Sequence, residues 1–386
     1  MSGTLSKSLL SACSMAAAGL VVLLSSAFAG EGTYDYKGLS RTFLWNATPN
    51  AVFDTSKFKK NPPYVIGFSN ASVSNVWRVD FANALYAAAE RHKDLIKRLI
   101  VTDANDSPAK QVADIQDLIQ QGVDLLIVSA ATSEALDPIV TRAMKQGIPV
   151  VMVDRRVTSD NFVTYVTANN PATGRFYAQW LVEMLHGKGN IIMLPGIPGA
   201  GSANERMVGA MEIFKQHPDI KILDTQYTDY SPAKGKTVAA GLIQKYGKSI
   251  DGIWADGGAQ VSGAIEAFVD AGYKDGEIPI GICGDYNGCL LNAIKHKVSV
   301  IDIDYPSAMG GTAIDVALDV LAGKPVPHIV QMNADVMVTK GAETPSIKAD
   351  QWVEDYAEMS KSPDYTLGNG LGSDYDPKTF KANYPR

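Results

Sequence analysis

Polar and charged side chains follow the ends of several apolar runs in this sequence, and their types suit the binding of a hydroxylated ligand. The candidate residues are Ser74, Asn75, Trp77, Asp154, Arg155, Asn170, Arg206, Asp256, Gln260, Asp285 and Asp304. A carboxylate only accepts hydrogen bonds and a guanidinium only donates them, whereas a hydroxyl group does both. Bonds to charged groups are the stronger class. A tryptophan face can cover the C–H side of a sugar ring, so this mixture predicts a carbohydrate site.

The charges of this set favour an uncharged ligand. Its four aspartates outnumber its two arginines, so a shared pocket would be net negative and would repel a phosphate or a carboxylate. A neutral sugar or polyol fits such a pocket, and a cationic ligand stays open. Each residue also has a simpler interpretation: Asp256 as a helix cap, Asp154 with Arg155 as a surface ion pair, and Trp77 as a core side chain.

Known catalytic and cofactor motifs are missing from the sequence. It contains no His-Glu-x-x-His, no Gly-x-Ser-x-Gly and no cluster of His and Cys, and the glycine-rich segment 196–201 has neither nucleotide nor dinucleotide spacing. We therefore expect no catalytic residues, no metal and no cofactor. One enzymatic alternative remains, a glycoside-processing enzyme that uses Asp285 and Asp304 as its carboxylate pair.

The elements that position these residues alternate between aliphatic strands and amphipathic helices. The sequence predicts strands at 64–68, 98–102, 123–129, 149–153, 162–168, 190–194, 220–224, 252–255, 278–282, 299–304 and 329–332. It predicts helices at 79–91, 108–121, 135–146, 173–186, 204–217, 232–246, 260–271, 290–296 and 309–321. Continuous aliphatic strands separated by helices indicate parallel sheets covered on both faces. The fold class is therefore α/β, with two doubly wound parallel-sheet lobes and a ligand beyond the carboxyl ends of the strands.

The N-terminus resembles an export signal. Lys7 precedes the apolar run 15–24, which is too short to span a bilayer, and Ala27-Phe28-Ala29 matches a cleavage site. We expect cleavage near Ala29, so that residues 1–29 are a signal peptide. Two alternatives are a short buried helix and a lipoprotein box at residues 10–13. The formal net charge of −6 gives no reason to expect nucleic acid or an anionic membrane surface as a partner.

Two cysteines remain in the mature chain, because Cys13 leaves with the signal. Cys283 and Cys289 lie on either side of a short Gly-Asp-Tyr-Asn-Gly segment. In an exported protein such a pair is compatible with a disulfide, and two free thiols are the alternative.

Segments of different composition flank the regular region. Residues 30–61 form an aromatic N-terminal extension, and residues 346–386 form a C-terminal extension with a predicted helix at 350–360 and an aromatic tail. Neither extension suggests a function by its composition.

From Tyr64 to about Lys340 the chain resembles the type I periplasmic sugar-binding proteins of ABC importers, the ribose- and galactofuranose-binding group. The matching stretches are IGFSNASVSNVWR, VMVDRRV, LPGIPGAGSANERMVGAM, IWADGG and DVALDVLAGKPV. The resemblance implies an aromatic clamp at Trp77 with Ser74 and Asn75 beside it. It further implies hydroxyl-binding roles for Asp154, Arg155, Arg206, Asp285 and Asp304.

The same resemblance implies three crossovers between the lobes, near Ala168, Asp304 and Asn333. Lobe one would comprise residues 62–168 and 305–332, and lobe two residues 169–304 and 333–345. The implied protein is a periplasmic monomer, not an enzyme, that captures a neutral sugar or polyol and delivers it to an importer permease. A binding protein for another small ligand, or one that serves chemotaxis, is the alternative.

Overall fold

The structure is a computed structural model that describes residues 51–332, 334–347, 349 and 351–367. The expected signal peptide, its cleavage site near Ala29, the cysteine at position 13 and the crossover residue Asn333 lie outside the described residues. So do residues 30–50 of the N-terminal extension and residues 368–386 of the C-terminal one.

Fifteen short strands occur in the described part of the chain. They are β1 (Val52–Phe53), β2 (Tyr64–Asn70), β3 (Ile96–Asp103), β4 (Leu125–Val128), β5 (Val150–Val153), β6 (Thr164–Thr167), β7 (Gly189–Leu194), β8 (Ile220–Thr225), β9 (Gly252–Ala255), β10 (Gly281–Ile282), β11 (Val300–Ile303), β12 (Val326–Pro327), β13 (Ile329–Gln331), β14 (Val336–Val338) and β15 (Gln351–Trp352).

Ten α-helices accompany these strands among the described residues. They are α1 (Val76–Arg91), α2 (Pro108–Gln120), α3 (Ser133–Lys145), α4 (Asn170–Met184), α5 (Gly201–Phe214), α6 (Pro232–Tyr246), α7 (Gly258–Asp270), α8 (Asn287–His296), α9 (Met309–Leu321) and α10 (Val353–Tyr356). None of them is both long and apolar enough to cross a membrane.

Several helices begin where the local sequence provides a cap. The Ser107 and Ser231 side chains accept from the backbone N–H groups of Lys110 and Lys234, and each serine is followed by a proline at the first helical position. Such a proline lacks the N–H that would be unpaired there. These caps place the start of each helix directly after a strand-end loop, where a ligand site is expected.

The first sheet has six parallel strands in the order β13-β6-β5-β4-β2-β3. Helix α9 packs against α1 on one face of this sheet, and a Cβ added to Gly310 would lie only 2.2 Å from the carbonyl oxygen of Phe81. Glycine at this position therefore permits the close approach of the two helices. Strand β13 and helix α9 come from the last third of the described chain and complete the first sheet and its core.

The second group of strands forms a three-stranded sheet, β8-β7-β9, and a four-stranded sheet, β10-β11-β14-β15. A parallel bridge between Gly252 and Ile280 joins the two. The pairs β7–β8, β7–β9, β10–β11 and β14–β15 are parallel, and β14 is antiparallel to β11. This arrangement confirms the predicted α/β class with parallel sheets.

The C-terminal region differs from the sequence-based expectation. Helix α10 covers only Val353–Tyr356, not residues 350–360, and it follows two strands, β14 and β15, that the sequence analysis did not predict. Both strands are very short, so they show little alternation of apolar and polar residues. Strand β14 pairs with β11, which precedes helix α9, and β15 pairs with β14.

Candidate functional site

A cavity of about 360 Å³ lies between the strand-end loops of the first sheet and those of the second group. Its wall includes Ser74, Asn75, Val76, Trp77, Arg78, Asp154, Arg155, Ser202, Arg206, Asp229, Tyr230, Ser231, Pro232, Gly257, Gly258, Ala259, Gln260, Asp285, Tyr286, Tyr305, Asp364 and Thr366. A cavity of this volume is typical of a site for a small molecule.

The turn after β5 directs two successive side chains into this cavity. In an extended strand, neighbouring side chains point to opposite faces. Asp154 has a φ of 61°, in the left-handed region that non-glycine residues rarely adopt. This backbone conformation ends the strand, and both Asp154 and Arg155 line the cavity. The Tyr165 hydroxyl donates to the carbonyl oxygen of Asp154 over 2.6 Å and stabilises the turn.

The carboxylate of Asp154 is held by Arg78. Arg78 Nη1 lies 2.6 Å from Asp154 Oδ2, and the two side chains are 1% and 5% exposed. Arg78 Nη1 also donates to Ser129 Oγ, its Nε donates to the carbonyl oxygen of Ser72, and its Nη2 donates to Asn70. Burial and the charge of Arg155 lower the pKa of Arg78 to about 10. This network fixes the acceptor that a ligand would meet.

Arg155 offers hydrogen-bond donors that the described part of the protein leaves unused. Its side chain is 3% exposed, its Nε is 3.5 Å from Asp154 Oδ2, and its Nη1 is 3.8 Å from Asp106. Neither nitrogen has a hydrogen-bond partner among the described residues. Because a buried donor without a partner is unfavourable, a ligand oxygen at this position would satisfy it.

Arg206 is positioned by close packing between α4 and α5. A Cβ on Gly174 would lie 1.9 Å from the carbonyl oxygen of Arg206, so glycine allows this contact. The Arg206 guanidinium donates to Asn170 Oδ1 over 2.9 Å and to the carbonyl oxygen of Asp256. Burial alone lowers its pKa, but Tyr305, Tyr230 and Asp256 outweigh burial and raise it. Arg206 therefore stays charged.

Aromatic side chains form another part of the wall. The Trp77 ring stacks on Phe81 with centroids 5.4 Å apart, and its Nε1 donates to the carbonyl oxygen of Tyr305 over 2.9 Å. The Arg206 guanidinium lies 4.2 Å from the Tyr305 ring centroid, and the Tyr305 hydroxyl is 3.3 Å from Asp154 Oδ1. Tyr305 thus contacts residues of both sheet groups.

Asp285 lies in a short loop closed by the two cysteines. The sulfur atoms of Cys283 and Cys289 are bonded, with a separation of 2.12 Å. A Cβ on Gly258 would lie 1.3 Å from the carbonyl oxygen of Cys283, so this glycine lets α7 begin against the loop. Burial raises the pKa of Asp285 to about 7, although Arg206 opposes the rise.

Eight of the predicted site residues line the cavity, namely Ser74, Asn75, Trp77, Asp154, Arg155, Arg206, Gln260 and Asp285. Asn75 also caps α1, because its side chain accepts from the backbone N–H of Arg78. Trp77 is both a wall residue and a neighbour of the first core. Asp154 and Arg155 are buried, unlike a surface ion pair.

Three predicted residues, Asn170, Asp256 and Asp304, lie behind the wall instead of in it. Asn170 holds Arg206, as described above. Asp256 accepts from the Tyr230 hydroxyl over 2.7 Å and from Gln260 Nε2 over 3.0 Å, and it does not cap α7 through its side chain. Asp304 is 6% exposed, and its backbone N–H donates to Asp335. Asn170 and Asp256 therefore support wall residues without lining the cavity, and Asp304 only precedes the wall residue Tyr305.

Several wall residues are absent from the set predicted from the sequence. Arg78 and Tyr305 each directly follow a predicted site residue, so their positions were a usable signal. Tyr230 follows β8, whose end carried no other candidate. Asp364 and Thr366 come from the C-terminal extension, which has no regular pattern.

The charges of the wall are more balanced than predicted. Asp256 and Asp304 are not in it, whereas Arg78 is, so three arginines face four aspartates. Asp229 has its own partner in Lys234, at 2.6 Å. Within the described ranges, no group of three or more His, Cys, Asp or Glu side chains is arranged to hold a metal ion. The wall therefore suits an uncharged ligand with several hydroxyl groups.

Comparisons with known proteins agree with this geometry. The family model described as "periplasmic binding protein domain" matches residues 66–325. The ribose import binding protein RbsB of Bacillus subtilis is 31% identical over 268 residues, which are 69% of this chain and 85% of that protein. The galactofuranose-binding protein YtfQ of Escherichia coli is 31% identical over 261 residues, which are 66% of this chain and 80% of that protein.

A solved structure is similar to the chain over most of its length. It is the periplasmic binding protein component of the arabinose ABC transporter from Shewanella sp. ANA-3, bound to α- and β-L-arabinofuranose. The TM-score is 0.65 at 26% identity, and the match covers 72% of this chain and 93% of that one.

Proposed function

The chain belongs to the periplasmic binding protein family, and on this premise we propose that it is the solute-binding component of an ABC importer for a neutral sugar or polyol. It is a binding protein and not an enzyme. The enzymatic alternative needs Asp285 and Asp304 on either side of a substrate, but Asp304 does not line the cavity. The relatives compared above are named as ribose- and galactofuranose-binding proteins.

The observation that carries this proposal is the convergence of hydroxyl-binding groups on one cavity. Asp154 and Arg155 come from the first sheet, Arg206 and Asp285 come from the second group of strands, and Trp77 lies beside them. The unpaired donors of Arg155 and the unpaired Oε1 of Gln260 suit a ligand that both accepts and donates. A polyhydroxylated, uncharged molecule meets all of these demands.

The proposed mechanism is capture by closure of two lobes, 62–168 with 305–332 and 169–304 with 333–345. A ligand that contacts both lobes favours the closed state by its preference for that state. An importer permease would then recognise the closed monomer. We further propose that the protein is periplasmic and that it is exported by a signal peptide cleaved near Ala29.

Isothermal titration calorimetry tests this function. The purified protein, freed of bound ligand by unfolding and refolding, is titrated with ribose, arabinose, galactose, fructose, xylitol and myo-inositol. Galacturonate and ribose 5-phosphate are the charged controls. We expect saturable binding of at least one neutral compound and no binding of the charged ones. Binding of a charged compound alone would contradict the proposal.

A further inference from the structure

The segment Val353 to Leu367, called the strap here, lies outside the region matched by the family model and yet reaches the cavity. The family match ends at residue 325. Strand β15 pairs with β14 and leads into the strap, whose first residue, Val353, is fully buried in the same core as Cys283 and Cys289. Leu367, its last described residue, is buried in that core as well. The strap is therefore anchored at both ends.

Between these anchors the strap is bonded to the disulfide-closed loop. The backbone N–H groups of Asn287 and Gly288 donate to the carbonyl oxygens of Tyr365 and Pro363, over 3.0 and 2.9 Å. Leu367 N–H donates to the carbonyl oxygen of Asp285 over 2.9 Å. These bonds hold the loop at Asp285, Asn287 and Gly288.

The Asn287 side chain adds three more bonds between the loop and the strap. Its Nδ2 donates to the carbonyl oxygens of Glu358 and Ser362, over 3.0 and 3.1 Å. Its Oδ1 accepts from the backbone N–H of Glu358 over 3.0 Å. Because Asn287 is fully buried, its amide group is satisfied by the strap, and the loop and strap form one unit.

Two strap residues lie in the cavity wall next to Asp285. The Thr366 hydroxyl is 3.2 Å from the carbonyl oxygen of Asp285 and 3.5 Å from its Oδ2. Thr366 is 4% exposed. Asp364 is exposed at the wall and accepts from the Tyr286 hydroxyl over 2.5 Å. The strap therefore adds hydroxyl and carboxylate groups to the ligand site.

We propose that the strap is a specificity element of the ligand pocket, in which Thr366 positions the Asp285 carboxylate toward a ligand hydroxyl and Asp364 provides a further acceptor. This inference rests on the proposed binding of a neutral sugar or polyol. Thr366 is a positioning residue, since it acts through Asp285. The sugar hydroxyl that meets Asp285 is then selected by an element outside the family match.

Several charged and titratable groups face Asp285, and all of them are the same in the Thr366 variants compared below. Those that interact with it are Arg206 on α5, Asp302 on β11, Asp304 after β11, Tyr177 on α4 and Tyr356 on α10. The Thr366 hydroxyl favours the ionised carboxylate, so its loss raises the pKa of Asp285 further.

The test compares Thr366→Val, which keeps the shape and removes the hydroxyl, with Thr366→Ser, which keeps the hydroxyl. Thr237→Val is the matched control, because the Thr237 hydroxyl bonds to a helix carbonyl at an exposed site. Unfolding in denaturant is measured without ligand from pH 5 to 9. We expect the stability gap between the Ser and Val variants to widen as the pH rises through about 7, the pKa of Asp285. A gap that does not change with pH overturns the positioning role.

Calorimetry with the neutral compounds supplies the second readout. We expect Thr366→Val to weaken the best ligand by up to about 10-fold, as the loss of one hydrogen bond of ordinary strength to Asp285 implies, and to change the ranking of the sugars. Thr366→Ser should restore both, and Thr237→Val should match the wild type. Affinities unchanged in Thr366→Val overturn the role in the pocket. If the wild type binds none of the compounds, the proposed function fails, while the ligand-free pH series still decides whether the strap positions Asp285.

Discussion

Arg78 Nη1 lies 2.6 Å from Asp154 Oδ2, and both side chains are almost completely buried in the cavity wall. The pair joins helix α1, which carries Arg78, to the turn after β5, which carries Asp154 and lines the cavity. A buried carboxylate that loses its nearest cationic partner is left with a poorly compensated charge.

We predict that Arg78→Met lowers the free energy of unfolding by about 3–5 kcal/mol, the cost of breaking a buried ion pair. Chemical denaturation at pH 7 measures it. Lys93→Met is the control, because Lys93 and Glu90 form an ion pair with both side chains mostly exposed, and such pairs contribute little. An Arg78 variant as stable as the Lys93 variant would contradict the assigned role.

Arg155→Met, in contrast to Arg78→Met, should lower ligand affinity without lowering the stability of the ligand-free protein. Because Arg155 Nε and Nη1 have no hydrogen-bond partner among the described residues, and because its charge opposes that of Arg78, its removal should leave the ligand-free protein equally stable or more stable. Ligand affinity should fall by at least about 10-fold, as expected for lost bonds to a charged group. Denaturation and calorimetry on the same preparation check both. A large loss of stability with affinity retained would show that Arg155 is structural.

Asp304→Asn should stabilise the protein relative to the wild type, and this difference in the free energy of unfolding should grow as the pH rises. Burial raises the pKa of Asp304 to about 7 in the folded protein, against about 4 in an unfolded chain. Between about pH 4 and pH 7 the Asp304 carboxyl group is ionised in the unfolded chain but still protonated in the folded protein. Its titration therefore lowers the free energy of unfolding of the wild type as the pH rises over this range. Asparagine cannot ionise, and the gap between variant and wild type should therefore widen over this range and level off above it.

Urea unfolding at intervals of pH measures this gap. Asp160→Asn is the control, because the Asp160 side chain is 71% exposed. Parallel curves for Asp304→Asn and the wild type would mean that Asp304 does not carry the raised pKa.

Removal of the disulfide should destabilise the loop that carries Asp285. A ring of this size, with a sequence separation of 6, is expected to contribute about 2 kcal/mol by restricting the unfolded chain. The Cys283→Ala, Cys289→Ala double variant should lose this amount and should also bind its ligand more weakly. Wild-type protein that is reduced while unfolded and refolded with reductant separates loss of the bond from loss of the sulfur atoms. Unchanged stability in both preparations would show that the disulfide does not stabilise the protein.

Export should remove the residues before Gly30. Mass spectrometry of protein recovered from the periplasm of a bacterial host is expected to show a chain that begins at Gly30. Ala29→Arg should block cleavage, because a large charged residue does not fit the small-x-small pattern, while Cys13→Ser should be processed normally. Processing that depends on Cys13 would instead favour the lipoprotein alternative.

The sequence was most informative where a site residue directly follows an apolar run. Asp154 and Arg155 follow β5, and Arg206 closes a glycine-rich turn, so their positions in a parallel-sheet fold could be predicted. The side chains behind them could not be separated from those in the wall, because Asp256 and Asp285 both follow strands and only packing distinguishes them. Thr366 is 81 residues from Asp285, in a segment without periodicity, and no local pattern predicts that contact.

The order in which the chain enters the first sheet determines when that sheet can be completed during synthesis. Helix α9 and strand β13, which complete that sheet and its core, end at Leu321 and Gln331. A ribosome must therefore synthesise most of the polypeptide before this half can reach its native state. Contacts between residues so distant in sequence also form slowly, because a long chain must first be brought together. The first sheet can therefore be completed only when nearly the whole polypeptide has been made.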